Sequence, residues 1–251
     1  MSTMSPVRTD GARRWPMACA AAVFTFAAGA TPVLGQESVP APSSLSVPFA
    51  LQVGLPQGEF AENVAVAGGL GGGVLWNFGG IIGFRAEMGV MVYGSDTRRV
   101  PLGGGALGLI NVDVTTTNTI FNGGLGLQLG VPGRSVSPYL GGLIGFSSFT
   151  TSSSVSGTNS SDEAFASSTN LSDGTFAKTV MAGIYLPIGR GKVMLDLGVR
   201  HTWNGERVRY LTEGDISEDV NGDVVLSPRE TRADLLTITL GVTVRADGAR
   251  R

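Results

Sequence analysis

The side chains with the most chemical potential in this chain are few and scattered. His201 is the only histidine. It opens the run His201-Thr202-Trp203-Asn204. A hydrolytic Ser–His pair needs hydroxyl and imidazole within hydrogen-bond reach. Trp203 stands where the neighbouring nucleophile would be, so no catalytic residue is assigned and a non-enzyme is expected. The simpler reading is an interfacial histidine beside an aromatic ring. The run "DVNGDVVLSPRE" places Asp219, Asn221, Asp223 and Glu230 at the first, third, fifth and twelfth positions of a calcium loop. The sixth position needs glycine for its sharp turn and holds Val224 instead, so the run reads as a hairpin tip. One histidine and the lone Cys19 supply no zinc cluster. Neither Gly71-Gly72-Gly73 nor Gly103-Gly104-Gly105 leads into the Lys and Ser/Thr of a phosphate loop. No metal and no cofactor are therefore expected. Four charges remain, Arg85 with Glu87 and Asp196 with Arg200, and what they do depends on the elements that carry them.

Those elements are strands. In "KVMLDLGVRHTW", Val193, Leu195, Leu197 and Val199 share one parity, while Lys192, Asp196 and Arg200 share the other. The same alternation predicts eight strands, over about 45–54, 62–76, 78–93, 117–131, 137–150, 175–188, 192–203 and 233–246. The second groups Val64, Val66, Leu70, Val74 and Trp76 on its apolar parity; the faces of the fifth are ambiguous. The connections "NFGG", "PGRSV" and "PIGRG" are tight and glycine-bearing, as hairpin turns are. "LPQGEFAE" is also short. Segments 94–116, 151–174 and 205–232 are long linkers, and the Ser/Thr-rich 151–174 is expected to be mobile. In an up-and-down order, the tight turns collect at one end and the long loops at the other.

The N-terminus adds location. Arg8, Arg13 and Arg14 precede an apolar run from about Met17 to Ala30, with "VLG" before Gln36. This predicts a signal peptide over 1–35, a periplasmic linker over 36–44, a barrel over 45–246 and a tail over 247–251. Without the first 35 residues, about 216 remain, with 15 basic and 19 acidic side chains and no cysteine. The fold then rests on no disulfide, and the absence of a basic patch argues against a nucleic-acid partner. No later apolar run reaches the roughly 18 residues of a membrane helix.

Period-two alternation fits two barrels, a soluble one that is apolar inside and a membrane one that is apolar outside. Three features favour the membrane version. The non-apolar parity is mostly Gly, Ala, Thr, Asn and Ser, as a narrow lumen requires. Trp76 and Phe78 sit near the tight-turn end, and Phe121, Phe176 and Trp203 near the other, as two aromatic girdles would. The loop asymmetry suits insertion from the periplasm. The predicted fold is all-β, an eight-stranded antiparallel up-and-down transmembrane β-barrel in the outer membrane, in contact with outer-membrane lipid. In such a barrel the third and seventh strands lie opposite each other. Arg85, Glu87, Asp196 and Arg200 then point inward at similar heights as a charge network, with Gln128 and Asn122 as hydrogen-bond partners.

The "PYLGGLIGF" strand, the final strand "TLGVTVRA" and the turn/loop asymmetry resemble the small eight-stranded outer-membrane barrels of the OmpA-, OmpX- and OmpW-like families. Thr239, Gly241 and Val244 are similar to the last-strand signal read by the barrel-assembly machinery, although "RADGARR" follows where those families end in an aromatic residue. The resemblance implies lumen salt bridges, that machinery as a partner during biogenesis, and a structural or surface-interaction role through the loops. An OmpW-like alternative is a passive conduit for small apolar solutes. A lipid A-modifying enzyme is the third reading. Outer-membrane deacylases resemble this barrel in size and carry a His–x–Ser–Asn pattern, which Trp203 interrupts.

Overall fold

A computed structural model describes residues 44–101, 111–133, 135–157, 164, 166–189, 192–212, 215–218 and 224–246. The expected signal peptide, most of the linker and the C-terminal tail lie outside the described residues, as do Asp219, Asn221 and Asp223 of the calcium-like run.

Eight long strands close into one ring. They are β1 (Ser44–Pro56), β2 (Ala67–Asn77), β3 (Ile82–Pro101), β4 (Asn111–Leu129), β5 (Ser137–Gly157), β6 (Ala166–Ile188), β7 (Val193–Asn204) and, last in the chain, β12 (Leu235–Ala246). Each pairs antiparallel with its sequence neighbour, and β12 closes the ring between β7 and β1. Closure leaves no edge in the ring, so every backbone polar group at mid-barrel finds a partner. The tight turns use left-handed glycines, among them Gly79 and Gly80 between β2 and β3 with φ of 101° and 84°, a region that only glycine enters freely.

Leu51, Val53, Met88, Leu127, Leu140, Ile144 and Leu240 point outward and are exposed, and their parity mates are exposed or half-buried. A soluble barrel would bury this parity. A continuous apolar outer face is stable only against hydrocarbon, and the chain is a transmembrane β-barrel. The ambiguity of the fifth strand resolves the same way, with Leu140, Ile144 and Phe146 outward and Tyr139, Leu143 and Phe149 inward.

Two expectations are corrected. Residues 62–66 are not strand: a 3-10 turn, Gly58–Glu62, precedes β2, and Val64 is buried inside rather than facing out. The long linkers, where described, are mostly paired strand. β3 to β6 continue past the barrel rim as a four-stranded sheet, with Gly94↔Asn118 to Pro101↔Asn111 in register, and likewise Thr117↔Ser152 and Ser153↔Ser168. Thr and Ser suit a pleated, solvated ribbon, so the Ser/Thr-rich 151–174 segment pairs as strand over most of its length. Residues 205–232 form β8 (Arg207–Tyr210) against β11 (Arg229–Arg232), and β9 (Ile216–Glu218) against β10 (Val224–Leu226). Beside its small residues the lumen holds large side chains, among them Tyr139, Tyr185 and Met194. The inward glycines make room for large neighbours: a Cβ on Gly198 would meet the Tyr139 hydroxyl at 2.5 Å.

Candidate functional site

The interior is filled at three heights. Nearest the tight turns, Tyr139, Leu143, Met181, Tyr185 and Met194 pack into one buried cluster. The Tyr139 and Tyr185 rings stack with centroids 4.6 Å apart.

The charges stand above this layer. Arg85 and Glu87 are two residues apart on β3, so both point inward. Arg200 reaches them from β7 on the far side of the ring. Arg85 Nε donates to Glu87 Oε2 at 2.7 Å, and Arg200 NH1 to Glu87 Oε1 at 2.5 Å. One carboxylate thus bridges two guanidinium groups, all three largely removed from solvent. Arg85 NH1 also donates to Gln128 Oε1 at 2.6 Å and to the Tyr185 hydroxyl at 3.1 Å. Its guanidinium carbon lies 5.8 Å from the centre of the Tyr139 ring, a cation–π distance. Asp196 stands apart from the ion pairs: Tyr139 Oη donates to its Oδ1 at 2.8 Å and Thr243 Oγ1 to its Oδ2 at 3.3 Å. Asn122 lines a space of about 20 Å³ beside Glu87 and Arg200. A second space of about 10 Å³ lies between Gln52, Asp196 and Arg200. Volumes of this order hold about one water each.

The third layer is the mouth. The 3-10 turn inserts Phe60, fully buried, among Tyr93, Phe149 and Tyr210, with ring centroids 5.8, 5.9 and 5.0 Å away. Met91, Ile120, Val208 and Leu235 belong to the same cluster. Polar ties hold the plug from above. Arg207 NH1 pairs with Glu59 Oε2 at 3.0 Å, Arg229 Nε with Asp215 Oδ2 at 3.0 Å, and Asn63 Nδ2 donates to the Tyr210 hydroxyl at 3.1 Å. Burial works against the Asp215 charge, but hydrogen bonds from Arg229 and Thr212 outweigh it and hold the carboxyl below its ordinary range. Glu230 of the calcium-like run sits on β11, its carboxylate 3.8 Å from Arg207 Nε.

The aromatics expected in girdles, Trp76, Phe78, Phe121, Phe176 and Trp203, are all exposed; Phe78 lies in the turn between β2 and β3 rather than on a strand, and the other four hold outward strand positions. Trp76 meets Phe78 at 4.9 Å, and His201 meets Trp203 edge-on at 4.4 Å. The sequence reading missed Tyr139, Tyr185 and Phe60. Tyr185 was legible, since it falls on the inward parity of its strand; Phe60, in a short loop, carried no periodic signal.

The geometry supports a plug more readily than a path. No family model matches the sequence, and no curated protein matches it either. Among solved structures the chain is similar to Neisserial surface protein A, at 14% identity over 81% of this chain and 99% of that one, with a TM-score of 0.44. It is similar to Ail, the attachment invasion locus protein of Yersinia pestis, solved with the heparin analogue sucrose octasulfate, at 14% identity over 81% and 97%, with a TM-score of 0.41. It is also similar to a major outer membrane protein from Thermus thermophilus, at 15% identity over 82% and 100%, with a TM-score of 0.40. The barrel assignment itself rests on the closed ring of paired strands and its apolar outer face.

Proposed function

We propose that this outer-membrane barrel is a sealed, non-enzymatic scaffold that acts through its long-loop end. The observation that carries the reading is the filled lumen: stacked tyrosines, a bridged charge layer and an aromatic plug occupy successive heights. An eight-stranded ring is only wide enough for side chains to fill it. A conduit along the axis would have to displace all three layers. What remains for interaction is the solvated sheet of β3 to β6 above the rim, where Arg98 pairs with Asp96 and Arg99 with Asp113. A hydrolytic role is not supported, because the ring beside His201 is Trp203. Export through the 1–35 segment, and assembly through β12 with Thr239, Gly241 and Val244 as its signal, belong to the same proposal.

The test is planar-bilayer recording of the purified barrel, together with uptake of a small apolar solute into vesicles that carry it. No steady conductance and no accelerated uptake are expected. A large, steady conductance would overturn the sealed reading.

A further inference from the structure

The outer face carries one anomaly. Along the outward parity of the ring itself, below the extensions of β3 to β6, the described residues are apolar, small or hydroxyl-bearing, with two exceptions. These are Lys178 on β6 and His201 on β7. They are neighbours: Lys178 stands directly opposite Trp203 in the β6–β7 register, and Val180 opposite His201. The His201 and Trp203 rings are 4.4 Å apart. Lys178 is exposed, is flanked on its own parity by Phe176 and Val180, and faces Ile144 across the β5 ladder. It makes no ion pair with any described residue.

Depth decides what meets this charge. Ten residues separate Lys178 from Ile188 at the tight-turn end of β6. At roughly 3.3 Å per residue and a tilt of about 40°, they climb about 25 Å, the height of the apolar band of an outer-membrane barrel. The ammonium therefore reaches the outer border of the hydrocarbon, where the lysine stem lies along apolar surface and the head meets polar groups. A tryptophan at the same level matches an interfacial anchor, with an apolar ring and one N–H donor. The anionic groups at that depth in a bilayer are lipid phosphates.

We propose that Lys178, with Trp203 and His201 beside it, forms a seat on the β6–β7 seam for the phosphate of an anionic lipid in the outer leaflet. Lys178 supplies the charge. The Trp203 indole and the His201 ring supply donors and a flat apolar wall, and Ile144 and Val180 lie against the first carbons of the acyl chains. The proposal rests on the membrane placement argued above.

The test is native mass spectrometry of the full chain refolded in neutral detergent, offered phosphatidic acid or phosphatidylcholine in equal amounts. Heat-modifiable gel mobility is read on every variant. The wild type is expected to retain one phosphatidic acid, and Lys178→Gln to lower the retained fraction at least fivefold. Lys178→Arg should keep it, and Arg232→Gln, exposed on β11 at the mouth, should leave it unchanged. Trp203→Phe should weaken retention at least twofold and gives a second reading if Lys178→Gln lacks the folded band. Equal retention by Lys178→Gln or, where that variant does not fold, by Trp203→Phe would overturn the proposal. So would equal retention of phosphatidylcholine by the wild type. Displacement by millimolar inorganic phosphate as readily as by excess phosphatidic acid would show a free-anion site and overturn the lipid assignment. Loss of the mobility shift in the wild type would count against the membrane placement instead.

Discussion

Glu87 is the most exacting test of the lumen. Its two carboxylate oxygens serve two guanidinium groups, Arg85 at 2.7 Å and Arg200 at 2.5 Å. The arginines do not depend on it equally. Arg85 also has Gln128, the Tyr185 hydroxyl and the Tyr139 ring. The one ion pair of Arg200 among the described residues is with Glu87. Glu87→Ala therefore strands Arg200 as a buried, unpaired cation. Removing one partner of a buried pair costs about 3–5 kcal/mol, because the charge left behind has neither water nor counter-ion. Removing both should cost less. In the double variant Glu87→Ala/Arg200→Met, a coupling of about 1–3 kcal/mol should return, whereas Glu87→Ala/Arg85→Met should return less, since Arg85 keeps other partners. The assay is urea unfolding in lipid vesicles, followed by gel mobility. A loss under about 1 kcal/mol for Glu87→Ala, or strict additivity with Arg200→Met, would refute the bridging role. The same variant tests the layered seal. Conductance should stay near zero in Glu87→Ala, because the tyrosine layer and the Phe60 plug are untouched. A steady channel from this substitution alone would mean that those layers do not close the lumen.

Phe60→Ala should cost about 3–5 kcal/mol as a truncated, fully buried ring, and should raise amide exchange across 207–233 well before exchange in β1 or β12 rises; equal protection in the variant would mean the turn is not the plug. Leu240→Arg puts a charge on the exposed outer face at mid-strand and should lose about 2–4 kcal/mol of folding stability in vesicles, with Leu240→Met as control; equal stability of the two would contradict the outward assignment. Gly198→Ala is no neutral control, because its Cβ would meet the Tyr139 hydroxyl at 2.5 Å and Thr239 Oγ1 at 2.7 Å. Excising 153–168, which are paired at Ser153↔Ser168, should leave a heat-modifiable barrel while exposing 111–117 to protease; loss of insertion would show that the upper sheet is needed for assembly. Acid should loosen the plug: the Asp215 carboxyl is held below its ordinary range, so its contribution is full above about pH 4 and fades as pH falls through the folded value. Lower protection factors at Phe60 and Tyr210 at pH 3 than at pH 6, each taken against the intrinsic rate at that pH, check this, and Asp215→Asn should reduce the difference.

Period-two alternation carried most of the barrel, because a membrane-facing strand has one face in hydrocarbon and one in the lumen, and the two make opposite demands on every second residue. That is why Arg85, Glu87, Asp196 and Arg200 were legible as inward, and why Tyr185 could have been. The alternation fails where both faces of a strand are in water. The extensions of β3 to β6 carry Thr, Ser and charges on both parities, so nothing in "TSSSVSG" distinguishes a paired ribbon from a loop. It fails also where a side chain leaves its strand: Phe60 and Val64 are buried by a turn folding back into the mouth, and Tyr210 by β8 crossing above it. Such contacts come from chain geometry with no periodic trace.

The same contrast of environments orders the molecule along its axis. Along the ring the apolar residues face out and Arg85, Glu87, Asp196 and Arg200 face in, because lipid will not solvate Arg85 or Glu87 and the lumen must pair them. At the mouth the arrangement inverts. Phe60, Phe149 and Tyr210 turn inward, and the ties Glu59–Arg207 and Asp215–Arg229 stand toward the loop end, as in a soluble protein. The inversion marks where hydrocarbon gives way to water. Lys178 lies below it, on the lipid side of the wall, with no such tie among the described residues. A charge placed there is not part of the soluble cap and cannot be part of the lumen, so its partner must come from the bilayer.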